Sequence, residues 1–184
     1  MRFPLELSSA VRKAVGKDYA VGYRFMAKEY LPDGLTMEES AIYAQRLAEV
    51  LNPAYLSVAA GSHECFALPE MQQGKAPEMF MTAEAGEIKK AVPNVPVIAA
   101  GHLQTPDNCE MLIAKGTADL IGLARILFAD ADWFRKASGK MPDDIRACVQ
   151  CGNCLNQIKQ RKPSFCSRWR EEERARFLKD VPLP

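Results

Sequence analysis

Val95-Pro96-Val97-Ile98-Ala99-Ala100-Gly101-His102-Leu103-Gln104-Thr105-Pro106 is the stretch that decides the fold. Apart from Pro96, residues 95–100 are β-branched or small and apolar, which reads as a strand. Gly101 breaks the run. Thr105-Pro106 then supplies an N-cap residue followed by proline at the first helical position, so a helix starts there and runs to Gly116. A strand that passes through a short turn into a helix does not form a hairpin with the strand that follows. It is one βα unit, and parallel strands need such crossovers.

The same pattern recurs on both sides. Pro4 to Val15, stopped by Gly16, is expected to be a helix, and Tyr19 to Phe25 a strand. Thr36-Met37-Glu38-Glu39 is a capping box opening a helix with Met37, Ala41, Ala44, Ala48 and Leu51 at helical spacing. Ala54 to Ala60 is a second strand, residues 61–81 a long loop, and Thr82 caps a helix through Val92 that buries Ala85, Ile88 and Val92. Ala118 to Leu123 is a fourth strand, and Asp130 caps a helix carrying Trp133 and Phe134 that ends at Gly139. The order is a helix, four βα units, then a cysteine segment and an Arg/Glu-rich tail over Arg168 to Lys179, read as a solvated helix with ion pairs. Strands alternating with helices imply a parallel sheet covered by helices. The strands are near-continuous apolar runs, as expected for burial on both faces.

The chain has 184 residues, enough for a sizeable core, and a formal net charge of +1, which leaves no electrostatic case for nucleic acid or an anionic membrane. No apolar run is long enough to span a bilayer, and the opening Met1 to Glu6 has no signal-peptide core. Six cysteines without an export signal suggest a reducing cytoplasm. Four of them, Cys148, Cys151, Cys154 and Cys166, form C-x2-C-x2-C-x11-C. A tight triplet closed by one distant thiolate suits a [4Fe–4S] cluster. Zinc also takes four thiolates, though its usual signature is two separate pairs. Cys65 and Cys109 stand outside the pattern and read as packed small apolar residues.

In parallel α/β folds ligands sit beyond the carboxyl ends of the strands. Arg24 is expected near the end of the first strand. Gly61-Ser62-His63 follows the second, Gly101-His102 the third, and Ala124-Arg125 the fourth. Two arginines, small residues and backbone amides at helix starts make an anion-binding collar suited to a phosphorylated cofactor. Taken singly, each residue also has a plain reading, as a surface ion-pair residue for the arginines and as an exposed loop residue for the histidines.

Taken in order, these residues resemble the flavin-dependent Old Yellow Enzyme family, and within it the iron–sulfur branch of the dienoyl-CoA reductase and trimethylamine dehydrogenase type. Arg2-Phe3-Pro4-Leu5-Glu6 resembles the entry to the fifth unit of that barrel, and Val21-Gly22-Tyr23-Arg24-Phe25 its fifth strand, whose arginine contacts the flavin ring. Gly122 to Asp130 resembles the motif in which backbone amides and an arginine hold the FMN phosphate, implicating Ala124 and Arg125. Gly101-His102 sits where relatives carry a phosphate-contacting Gly or Arg, so His102 is a departure. Gly61-Ser62-His63-Glu64 resembles a loop whose histidine donates a proton, and the cysteine pattern with Asn153 and Leu155 matches the cluster segment.

The resemblance implies the C-terminal half of a TIM (β/α)8 barrel over 1–140, followed by an iron–sulfur segment and C-terminal helix over 141–184. It implies FMN, a [4Fe–4S] cluster and NAD(P)H as electron donor, with an unsaturated carbonyl or amine as substrate. Arg24 would steady the reduced flavin ring, and His63 would protonate the substrate. The first four units of the family barrel have no counterpart, so the chain reads as a fragment, a separately encoded half or a degenerate relative. Four parallel strands cannot close a barrel. A companion polypeptide with the other half, or another copy, is expected to cover the open edges. Two other classes stay in view: a non-catalytic electron-transfer or scaffold subunit, and a zinc-stabilised structural module.

Overall fold

A computed structural model describes residues 1–65 and 77–180. The part of the expected loop at 66–76 lies outside them. The described residues fall into two compact units, within Met1–Gly122 and within Leu123–Pro184.

In the first unit the elements run α1 (Arg2–Val15), β1 (Gly22–Lys28), α2 (Met37–Leu51), β2 (Tyr55–Ala60), α3 (Thr82–Ala91), β3 (Val97–Ala99), α4 (Pro106–Ala114) and β4 (Leu120–Ile121). The four strands form one parallel sheet in the order β1-β2-β3-β4, so each βα unit adds its strand beside the last. This is the expected α/β architecture of consecutive barrel units.

Local chemistry explains the element starts. Thr36 and Glu39 form the reciprocal capping box of α2, with the Thr36 hydroxyl accepting from the Glu39 amide and the Glu39 carboxylate from the Thr36 amide. Of the two expected threonine caps, Thr105 holds the N-cap position of α4 as expected, and Thr82 does not cap α3. The Thr105 hydroxyl turns away to donate to Glu78 at 2.7 Å. Thr82 lies inside α3, where its hydroxyl donates back to the Met79 carbonyl. Arg12 of α1 ties two helix ends together. It donates to the carbonyls of Leu51 and Asn52 at the end of α2, and of Gly16 and Tyr19 after its own helix.

The core lies on one side of the sheet. Phe25 and Ala27 of β1, Leu56 and Val58 of β2 and Val97 and Ala99 of β3 pack against Ala44, Leu47 and Leu51 of α2 and Ala85 and Ile88 of α3. Burying each large apolar side chain contributes about 1.5–3 kcal/mol. Alternate strand residues point the other way. The register places Arg24, Ser57, Ile98 and Leu120 in one row across the sheet. Arg24, Tyr55 and Leu120 are exposed, Tyr55 at 40% and Leu120 at 48%. The sheet is thus buried on one face only, where two buried faces were expected. Near-continuous apolar strands conceal the difference, because small residues such as Ala59 serve either face.

The second unit holds α5 (Arg125–Ala129), α6 (Trp133–Ala137), α7 (Asn153–Lys159) and α8 (Glu171–Asp180). Asp130 does not cap α6, whose N-cap is Asp132 without a side-chain bond. The helix α5 and the helix α7 inside the cysteine segment were not expected. Trp169 anchors this unit, donating its indole N–H to the Phe128 carbonyl at 2.7 Å and packing between Phe128 and Phe177.

Candidate functional site

Because the strands of the first unit run parallel, their carboxyl ends lie on one side, and the turns after β2 and β3 emerge there together. The Gly61 amide donates to the Lys28 carbonyl at 2.7 Å and the Ser62 amide to the Glu29 carbonyl at 3.2 Å, tying the turn after β2 to the end of β1. His63 is exposed on that turn, beside the buried Cys65. After β3, Gly101 adopts φ +128°, and a Cβ there would stand 1.3 Å from the Phe80 carbonyl oxygen. Only glycine lets the backbone of Phe80 cross at this height. His102 follows, half-buried, in the left-handed region at φ 56°.

Arg24 is displaced from its expected position. The first strand begins three residues later than the Tyr19 start, at Gly22, so Arg24 is the third residue of β1 rather than near its end. Its side chain stands on the exposed sheet face next to Ser57.

A pair that the sequence reading missed stands at the same strand ends. The Tyr30 hydroxyl donates to the Glu84 carboxylate, and its ring leans on Phe80 with centroids 5.8 Å apart. The Lys28 ammonium lies 5.1 Å from the Tyr30 ring centroid. Burial raises the Tyr30 phenol well above the ordinary tyrosine range, and the Glu84 hydrogen bond and charge add to it. No short-range pattern links positions 30 and 84, so nothing in the sequence signals this pair.

In the second unit, Cys148, Cys151, Cys154 and Cys166 line one pocket, together with Arg125, Phe128, Gln150 and Arg168. The backbone explains how a loop returns Cys166 to the triplet. Gln157 of α7 accepts from the Phe165 amide at 3.0 Å and donates to the Phe165 carbonyl, and Asn153 donates to the same carbonyl. Ser164 donates to the Cys154 carbonyl. These bonds seat residues 164–166 against the helix that carries Cys154. Burial raises the Cys166 thiol; the Arg168 amide opposes this, while the charges of Cys148, Cys151 and Cys154 act with burial. Among the described residues, no three His, Cys, Asp or Glu side chains come close enough to hold one metal ion.

Arg125 belongs to this pocket too. It donates to the Gln150 amide oxygen at 3.1 Å, and Gln150 lies between Cys148 and Cys151 in the left-handed region at φ 52°. The residue implicated in phosphate binding and the cysteine loop are therefore joined by one hydrogen bond. Behind the pocket, Asp130 is fully buried and accepts from Lys136 at 2.7 Å and from the backbone amide of Arg146 at 2.8 Å.

The model of the NADH:flavin oxidoreductase / NADH oxidase family matches residues 1–144. The chain belongs to this family. It is 38% identical over 152 residues to an NADH oxidase of Thermoanaerobacter brockii, an alignment covering 82% of this chain and 23% of that protein. It is 35% identical over 167 residues to a metal reductase of Desulforamulus reducens, covering 90% of this chain and 24% of that one. Among solved structures, a 2-naphthoyl-CoA reductase complex aligns with TM-score 0.79 and 25% identity over 91% of this chain and 25% of that chain. The chain thus spans about a quarter of the length of these relatives. The expected membership in a flavin-dependent oxidoreductase family and the α/β barrel-type fold are both borne out. Among the described residues, no helix is long and apolar enough to cross a membrane.

Proposed function

We propose that this chain is the part of an FMN- and [4Fe–4S]-dependent oxidoreductase that carries the flavin-phosphate arginine and the cluster. The observation that carries the reading is that Arg125 and all four cysteines of the pattern line one pocket. The residues suit a cluster. Four thiols converge on a volume, whereas zinc at about 2.3 Å from each sulfur would draw thiolates to about 3.8 Å from one another. A cluster places iron and sulfide between its ligands and so spaces the thiolates more widely.

When bound, FMN and the cluster supply hydride and single-electron chemistry, with NAD(P)H as donor. The protein's own groups place and tune them. Arg125 and the backbone at Ala124 hold the phosphate. Arg24, exposed on the sheet face and bound to no acceptor among the described residues, offers its guanidinium to the electron-rich flavin ring. His63, exposed beyond β2, delivers a proton to an unsaturated carbonyl substrate. A polypeptide bearing the first four βα units covers the exposed sheet face and the β1 and β4 edges, and the assembly works in the cytoplasm.

The test is the spectrum and composition of anaerobically purified protein, alone and with a polypeptide carrying the missing units. FMN together with iron and acid-labile sulfide supports the reading. Iron and sulfide with no FMN under either condition points to an electron-transfer or scaffold subunit. One zinc and no iron makes it a structural module, and neither flavin nor iron refutes the proposal. Arg24→Met should lower FMN affinity at least tenfold and leave stability within about 0.5 kcal/mol, as for surface positions.

A further inference from the structure

Two arginines line the cysteine pocket, and a third stands just outside its lining. Arg125 and Arg168 are exposed on its wall. Arg146 lies two residues before Cys148 and is held from several sides. Its backbone amide donates to Asp130 at 2.8 Å, its Nε lies 3.9 Å from the same carboxylate, and its Nη1 donates to Glu173 of α8. Its side chain is 21% exposed, whereas Asp130 is fully buried. Long cationic side chains at a surface spend most of their time in solvent, and their charge is screened. One clamped between two carboxylates keeps its charge in one place, where the low surrounding dielectric lets it act further.

Building on the cluster reading above, we propose that Arg146 is the fixed counter-charge of the cysteine pocket, clamped by Asp130 and Glu173, and that it raises the reduction potential of the group bound there. One electron, delivered from reduced flavin, adds one negative charge among the four thiolates. A nearby guanidinium stabilises that added charge, and a nearby carboxylate destabilises it. The Arg146 guanidinium interacts electrostatically with Cys166 as well as with Glu173 and Asp130. Asp130 acts as the positioning residue. It fixes the backbone two residues before Cys148, and Lys136 at 2.7 Å neutralises its charge, so of the two carboxylates only Glu173 offsets the cation, and Glu173→Gln removes that offset.

The proposal predicts opposite shifts for two partners in one ion pair. The full chain is reconstituted anaerobically with iron and sulfide, iron and sulfide content is measured, and the potential is read by film voltammetry and by redox-poised electron paramagnetic resonance. Arg146→Gln should move the potential to more negative values and Glu173→Gln to more positive ones, while Arg146→Lys stays close to the parent. A merely structural role would move both neutral variants in the same sense, or would lower iron content equally in Arg146→Lys. Shifts of one sign, or no shift in fully loaded protein, overturn the proposal and leave the cluster reading intact. A parent chain that takes up no iron and sulfide, or takes zinc instead, overturns both. If Arg146→Gln fails to retain iron, Glu173→Gln decides alone: a positive shift supports the proposal and an unchanged potential overturns it.

Discussion

Replacing Asp130 with asparagine should unfold the second unit far more readily than its single-atom change suggests. The carboxylate has no exposed surface, and Lys136, 2.7 Å away, is only 5% exposed. One oxygen accepts from Lys136 and from the Arg146 amide, and the other accepts from the Asp132 amide at 3.2 Å. An asparagine can keep acceptors on one side only. Its amide nitrogen must then face either the Asp132 N–H or the Lys136 ammonium, and in both cases Lys136 loses its neutralising charge. Breaking a buried pair from one side costs about 3–5 kcal/mol. Both tryptophans of the chain, Trp133 and Trp169, lie in this unit, so their emission during urea unfolding reports on it specifically. Adding Lys136→Met removes the orphaned charge, and the pair should show a coupling energy of about 1–3 kcal/mol. Burial raises the Asp130 carboxyl, but the Arg146 amide, Lys136 and the Asp132 amide together outweigh it and hold the group below the usual carboxylate range. Its stabilisation is therefore complete above its unfolded value of about 4 and is lost as pH falls through the lower folded value. Asp130→Asn should flatten that acid-side loss. A cost below about 1 kcal/mol, or strictly additive costs in the double variant, would refute this account of the site.

Three further outcomes follow from the geometry. Gly101→Ala must displace the Phe80 carbonyl that a Cβ would strike at 1.3 Å and must also hold φ +128°, so we expect a loss of several kcal/mol or insoluble protein; a calorimetric Tm within two degrees of the parent, roughly 0.5 kcal/mol for a domain of this size, would contradict it. Thr36→Ala removes one arm of the α2 capping box and should lower stability by about 1 kcal/mol in denaturant titration, with Thr36→Ser recovering most of it. Cys154→Ser should abolish iron and sulfide retention on anaerobic reconstitution, whereas Cys65→Ser, at a buried thiol outside the pocket, should leave the iron count unchanged.

The βα pattern was legible because its signals are local. A proline after threonine, a capping box or a glycine stop each acts within one turn of chain, and the helices they mark lie close to where the sequence places them. The cysteine site was legible for a related reason, since three of its four thiols lie within one short segment. Errors arose where a residue's partner is distant in sequence. Asp130 looks like a helix cap because an acidic residue precedes a helix, yet its main partner is the Arg146 amide, sixteen positions on. Thr105 does occupy the N-cap position, but its hydroxyl bonds Glu78, 27 positions back, in place of the helix amides. The Gln157 bridge that returns Cys166 to its companions, and the Tyr30–Glu84 bond, join segments that no periodicity relates. The first strand was misplaced because Tyr19, Val21 and Tyr23 all favour strand, and only pairing with β2 selects the start at Gly22.

The one-sided sheet also bears on how such a chain can change over generations. Every buried strand residue points toward the helices, so the conditions for folding are met on one face, while Arg24, Ser57, Ile98 and Leu120 share the other. Substitutions in that second row leave the helix-side packing untouched, so within this unit they are constrained less by its own core than by what the face meets. A scaffold divided in this way lets new specificities be tried on one surface without risking collapse of the other.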